Sequence, residues 1–334
     1  MDPVGHGHTG PVLPARPVNG AINRDQRIVC VMGPTASGKT SLALDIVRSF
    51  PCDIISVDSA QVYRGMDIGT AKPDQQILKQ APHRLIDICD PSESYSAARF
   101  RTDALAEISK IHARGRIPLL VGGTMLYFRA LLEGISRLPD ANPATRREIE
   151  AEAARYGWKQ MHERLSELDP VAAAKIDPGD PQRIQRALEV IRLSGRPLSQ
   201  LQAENKPEPS DLNALKIIVC PAVRALLHRR IERRFNQMLE EGFLDEVRAL
   251  KRRSDLHGRL PAMRAVGYRQ AWAYLEGDMD STQWQQKAVA ATRQLAKRQL
   301  TWLRREKSAL WYDPETEDAE EKVFAAVRNF LPRA

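Results

Sequence analysis

The sequence predicts an α/β protein in which a parallel sheet flanked by helices surrounds a phosphate-binding loop, with an inserted all-helical lobe and a helical C-terminal region. Three observations carry this reading. Gly33-Pro34-Thr35-Ala36-Ser37-Gly38-Lys39-Thr40 fits the pattern G-x-x-x-x-G-K-[ST], with an apolar run before it and a helical pattern after it. From Arg27 onward, short apolar runs alternate with helical segments, as a parallel α/β sheet requires. From residue 142 to about 195 no strand-like run breaks a series of helical stretches rich in Arg, Glu and Ala, and one more strand pattern follows them.

Taken in order, residues 1–25 are rich in Gly, Pro, His and Asn without periodicity and read as a disordered leader. Strand patterns fall at 28–32, 53–57, 84–88, 118–121 and 216–220. Helices are expected at 97–113 and at 125–133, the second opened by Gly122-Gly123-Thr124. The character changes at Leu138-Pro139-Asp140, so 26–138 and 212–315 are assigned to the catalytic core and 139–211 to a helical insertion serving a second substrate. Within the insertion, helices are expected at 144–156, 159–168, 170–176 and 181–194, with 197–212 as a Pro-rich return linker. Asp180-Pro181 supplies the last of these helices with an N-cap and a proline at its first position. Further helices are expected at 222–241, 244–251, 268–275 and 282–307, and 316–334 is a C-terminal helix and tail.

At 334 residues the chain is long enough for two lobes, and 43% hydrophobic against 28% charged residues is the composition of a globular protein. The formal charge of +8 suits a polyanionic partner. Cys30, Cys52, Cys89 and Cys220 lie far apart without metal-ligand spacing, which implies buried thiols in a reducing compartment. No apolar stretch reaches membrane-spanning length, so a cytoplasmic protein is expected, with a monomer as the default.

In the loop, glycines let successive backbone N–H groups face inward, and the following helix adds its dipole. Lys39 then meets phosphate oxygens and Thr40 a Mg²⁺ ion. Asp58 follows the strand beside the loop; it suits Mg²⁺ coordination or removal of a proton from a nucleophile, and a turn-capping role is the plainer alternative. Gln61 offers a donor and an acceptor to an adenine edge. Ile184, Leu188 and Ile191 share one helical face, leaving Arg183 and Arg186 on another, where they meet phosphates or simply solvent. Arg230 and Arg234 share a face and are placed to close over a diphosphate, or to pair with Glu232. Arg293, Lys297, Thr301 and Arg304 align on one helix near Trp302, a basic stripe beside an aromatic that fits single-stranded RNA, although Trp302 taken singly reads as core.

The motifs together resemble the bacterial tRNA dimethylallyltransferases, also called tRNA isopentenyltransferases. The resemblance spans about residues 28–305 through the phosphate loop, DSAQVYRGMDIGTAKP (58–73), HRLID (83–87), GGTMLYFRALLEG (122–134), QRIQRALEV (182–190), RAVGYRQ (264–270) and KRQLTWLR (297–304). It implies a fold like that of small P-loop kinases and transfer of a dimethylallyl group from dimethylallyl diphosphate to the N6 amine of the adenosine 3′ of the anticodon. It further implies that the loop cradles the donor diphosphate with Mg²⁺, that Thr35, Lys39 and Arg230 stabilise the leaving group, and that Asp58 is the base. The tRNA anticodon stem-loop would meet Asp58, Ser59, Ala60 and Gln61; Thr124 and Arg146; Gln182, Arg183, Ile184, Gln185 and Arg186; Arg264, Gly267, Tyr268 and Arg269; and Lys297, Arg298, Gln299, Trp302 and Arg304. Longer relatives in eukaryotes add a zinc finger, for which this chain has no paired cysteines. The alternative is an ATP-dependent P-loop kinase acting on a small molecule, with the same loop and Asp58.

Overall fold

Six strands form one parallel sheet among the described residues, 26–331 of the computed structural model. Its spatial order is β3-β2-β4-β1-β5-β6. The strands are β1 (Arg27–Met32), β2 (Cys52–Val57), β3 (His83–Arg84), β4 (Ile117–Gly122), β5 (Asn213–Val219) and β6 (Leu310–Tyr312). β1, β2 and β4 are almost wholly buried because helices cover both faces of the sheet, which is why they read as continuous apolar runs rather than alternating ones. Their register places Met32 and Val57 both against Gly122. The carboxyl ends of three adjacent strands therefore stop level, and the residues that follow them meet at one edge of the sheet.

Helices α1 (Lys39–Ser49), α2 (Gln75–Gln80), α3 (Ala97–His112) and α4 (Met125–Glu133) belong to the first half of the chain. One apolar core packs α3, α4 and the later helices against one sheet face, and a second packs α1 and α13 (Ala319–Phe330) against the other. The helical block between β4 and β5 comprises α5 (Pro143–Leu168), α6 (Pro170–Ala173), α7 (Pro181–Ser194) and α8 (Leu198–Glu204). It has its own core, built from residues between Leu138 and Leu201. After β5 come α9 (Arg224–Glu240), α10 (Phe243–Lys251), α11 (Tyr268–Leu275) and α12 (Ser281–Leu303).

Several expectations are corrected. The strand expected at 84–88 is only two residues long, because Leu85 and Asp87 take positive φ and turn the chain away, leaving a single bridge from Cys89 to Tyr63. The linker at 197–212 contains α8, whose Leu198 and Leu201 are buried in the lobe core. α12 ends at Leu303 rather than at residue 307, and α2 and β6 had no counterpart in the sequence reading. In α5, Gly157 has non-helical angles, so the element kinks between the two helices expected there. The Asp180 cap forms as read, accepting the Arg183 N–H at 3.1 Å. The leader, 1–25, and the last three residues lie outside the described residues.

Candidate active site

The phosphate loop links β1 to α1. Gly38 has φ +99°, a conformation that glycine adopts without steric cost, and Ala36 also has positive φ. The resulting curl keeps Ser37 fully buried with a hydroxyl that has no hydrogen-bond partner. Lys39 lies half-buried, donating to the Pro34 carbonyl at 2.7 Å. Burial, reinforced by Arg234, lowers its pKa to about 8 against the opposing pull of Asp58. Thr40 is exposed at the first turn of α1.

Asp58 follows β2. Its Oδ1 accepts from the Ala60 N–H at 2.8 Å and the Gln61 N–H at 3.3 Å, so the turn-capping role is real. The same carboxyl group lines a cavity of about 180 Å³ with Thr35, Lys39 and Thr40. The lining combines these polar groups with an apolar set, Ile231, Phe235 and Met238 from α9 and Leu295 from α12. Arg234, from α9, also lines it, and burial lowers its pKa while Asp58 pulls the other way. Arg230, the residue singled out from the sequence, meets the loop from outside: it donates to the Ser37 carbonyl at 3.3 Å and pairs with Glu315. Arg230 and Arg234 both border a second opening around Ser37, Gly38 and Thr40.

The residues expected to touch RNA separate into three groups. Ser59 and Thr124, the chain neighbours of cavity-lining Asp58 and Gly123, sit together, the Ser59 N–H donating to Thr124 Oγ1 at 3.0 Å. Arg183, Arg264, Arg269, Lys297, Arg298 and Arg304 are exposed cations, Arg183 lying 3.3 Å from Asp180. Gln182 and Gln185 from the lobe line a groove of about 330 Å³ with Arg264 and Arg259 from the core, so two distant motifs meet there. Trp302 is partly buried with the guanidinium groups of Arg129 and Arg305 each 5.9 Å from its ring.

The remainder are buried or engaged by other parts of the protein. Ile184 is buried in the lobe core. Arg146 and Arg186 both donate to the fully buried Glu189 carboxylate, so neither guanidinium is free of protein contacts. Gln185 donates to the Arg146 carbonyl and to Glu150. Gln61 is engaged at both ends, accepting from Ser56 and donating to the Thr70 and Ala71 carbonyls. Gly267 and Tyr268 are buried, and the Tyr268 hydroxyl donates to Glu246. Gln299 spans from the phosphate loop to the turn after β4.

Glu246 itself escaped the sequence reading. It accepts the N–H groups of Asp67, Ile68 and Gly69 at 2.8, 2.7 and 3.2 Å, and so clamps the loop whose carbonyls hold Gln61. A glutamate on a helix carries no local sign of a partner nearly 180 residues away.

A family model described as IPP transferase matches residues 61–306. A protein named tRNA dimethylallyltransferase from Thioalkalivibrio sulfidiphilus is 62% identical over 276 residues, covering 83% of this chain and 86% of its own length. Another of the same name from Alkalilimnicola ehrlichii is 59% identical, covering 86% and 91%. Among solved structures, the tRNA isopentenylpyrophosphate transferase of Bacillus halodurans superposes with a TM-score of 0.67 at 37% identity over 92% of this chain and 97% of its own. A eukaryotic dimethylallyltransferase acting on tRNA gives 0.74 at 25% identity, over 91% and 79%.

Proposed function

This chain belongs to the IPP transferase family, and from that premise we propose the reaction its cavity performs: transfer of a dimethylallyl group from dimethylallyl diphosphate to the N6 amine of the adenosine 3′ of the anticodon in tRNA. One observation carries the choice of donor. A single cavity is lined both by Lys39, Thr40 and Arg234 and by Ile231, Phe235, Met238 and Leu295, which suits a diphosphate joined to a short hydrocarbon. An ATP-dependent kinase has less use for those apolar lining residues.

On this reading the adenosine N6 attacks C1 of the donor, the C1–O bond breaks and diphosphate leaves. Asp58 takes the N6 proton. Thr35, Lys39 and the loop N–H groups hold the diphosphate as its charge develops, with Arg234 inside the cavity and Arg230 at the rim.

Among the described residues no group of three or more His, Cys, Asp or Glu side chains is arranged to hold a metal. This suits Mg²⁺, which is commonly held by one or two protein oxygens together with substrate phosphates. Thr40, with the donor oxygens, would hold it, and it would supply positive charge to the leaving group. The exposed cations on α7, α12 and the 264–269 segment would meet the anticodon stem-loop. No helix of the described residues is long and apolar enough to cross a membrane, and a monomer working beside its tRNA in the cytoplasm fits this reading.

Asp58→Asn tests the assignment, because the amide keeps an oxygen for the Ala60 and Gln61 N–H groups but cannot take the proton. Turnover should fall by ~10²–10⁴-fold with donor and tRNA affinities kept. Undiminished turnover would remove Asp58 as the base.

A further inference from the structure

A cavity of about 350 Å³ opens between the start of α9, the second half of α12 and the edge strand β6. Leu227 lines it and Ile231 lines the catalytic cavity, and both belong to one small apolar cluster, so packed side chains divide the two spaces. Its lining has an unusual composition. Arg224 at the start of α9, Lys297 on α12 and Arg304 just past its end are three exposed cations, and none has an acidic partner among the described residues. Trp311 is 47% exposed at the cavity, and Val223, beside Arg224, is 55% exposed. The one carboxylate in the lining, Asp313, is occupied by the Ala222 and Glu315 N–H groups.

Unpaired cations attract an anion, an exposed indole offers a face for stacking, and Leu227 and Leu300 supply an apolar floor. A phosphorylated nucleoside meets all three requirements in one ligand. We propose that this cavity is a nucleotide subsite, with the base stacked on Trp311 and the phosphate held by Arg224, Lys297 and Arg304. The nucleotide comes either from the RNA substrate or from a free mononucleotide; the first source rests on the tRNA reading given above. Trp311 and Arg224 thereby gain a role outside every motif that marks the family resemblance.

The test uses the full chain with Trp311→Ala and Arg224→Ala, both exposed positions away from the catalytic cavity. An unmodified anticodon stem-loop carrying 4-thiouridine at successive loop positions is irradiated with the protein, the crosslinks are mapped, and its affinity is measured in each variant. AMP and CMP are titrated separately, with tryptophan fluorescence as the readout. A crosslink to Trp311 with roughly tenfold weaker stem-loop binding in both variants supports the RNA source. Mononucleotide quenching that disappears in Trp311→Ala, with stem-loop binding unchanged, supports the free nucleotide. Unchanged stem-loop affinity, crosslinks confined to other segments and no mononucleotide response would overturn the proposal. If wild-type protein bound no stem-loop at all, the tRNA reading would fail and the mononucleotide titration would decide the cavity by itself.

Discussion

Gln299 of α12 holds Thr35 of the phosphate loop: its Oε1 accepts the Thr35 N–H at 2.9 Å while its Nε2 donates to the Gly123 carbonyl at 2.9 Å. One side chain thus ties α12 to two of the three level strand ends. The resemblance assigns Gln299 to RNA, but these two bonds tie it to the phosphate loop, which is the donor site on the proposed reading. Gln299→Ala strands a backbone donor and a backbone acceptor, at a cost of ~1–3 kcal/mol. Donor affinity measured without tRNA should fall about tenfold or more. Weaker tRNA binding with donor affinity unchanged would return Gln299 to the RNA surface.

Lys39 gives the free enzyme a pH dependence. Its pKa of about 8 in the folded chain lies below its ordinary 10.5, so folding releases a proton between those values and the ligand-free stability contribution of Lys39 improves as pH rises through that window. On the proposed reading donor binding has the opposite preference, because the diphosphate would be held by the ammonium form. Affinity for the donor should weaken as pH rises through about 8, with proton uptake on binding. Calorimetry in buffers of different ionisation enthalpy measures that uptake, and Lys39→Arg should abolish it.

Glu246 fastens the loop at 67–69 from a helix remote in sequence. Glu246→Ala leaves three N–H groups and the Tyr268 hydroxyl without their acceptor, and should lower stability by ~2–4 kcal/mol and raise KM for tRNA. Gly69 fits beneath the same clamp because an added Cβ would sit 2.2 Å from Phe243 and 2.6 Å from Tyr268, both rigid rings. Gly69→Ala should therefore reproduce the defect in a thermal melt. A melting temperature equal to wild type in both variants would show that the clamp contributes nothing.

Glu189 does the same for the helical lobe. Burial raises its pKa, yet hydrogen bonds from Arg146, Arg186 and the Asn142 N–H outweigh burial and leave it below the usual glutamate range. Stability from this group is present above the ordinary glutamate pKa and is lost as pH falls through the lowered folded value. Glu189→Ala should loosen the lobe and weaken tRNA binding with donor affinity intact, read by hydrogen exchange across α5 and α7. Unaltered exchange there would contradict this role.

The contrast between Asp58 and Glu246 shows what the sequence made legible. Asp58, the phosphate loop and Gly123 are each adjacent to strands with strong apolar signals, and a parallel sheet brings such carboxyl-end residues together. Glu246, Glu189 and Gln299 act across long separations, on partners that no local periodicity announces. β3 and α8 were misread for local reasons: positive φ at Leu85 and Asp87 is invisible in an apolar run, and two buried leucines make a helix of a polar stretch. Tyr268 and Ile184 lie within motifs of the family resemblance, but both are packed inside the protein.

The most direct measurement supplies purified protein, Mg²⁺ and unmodified tRNA with labelled dimethylallyl diphosphate in one tube and γ-labelled ATP in another. The account predicts label entering tRNA from the prenyl donor alone, at the adenosine 3′ of the anticodon. Label leaving ATP instead, or tRNA unlabelled by either donor, would contradict it.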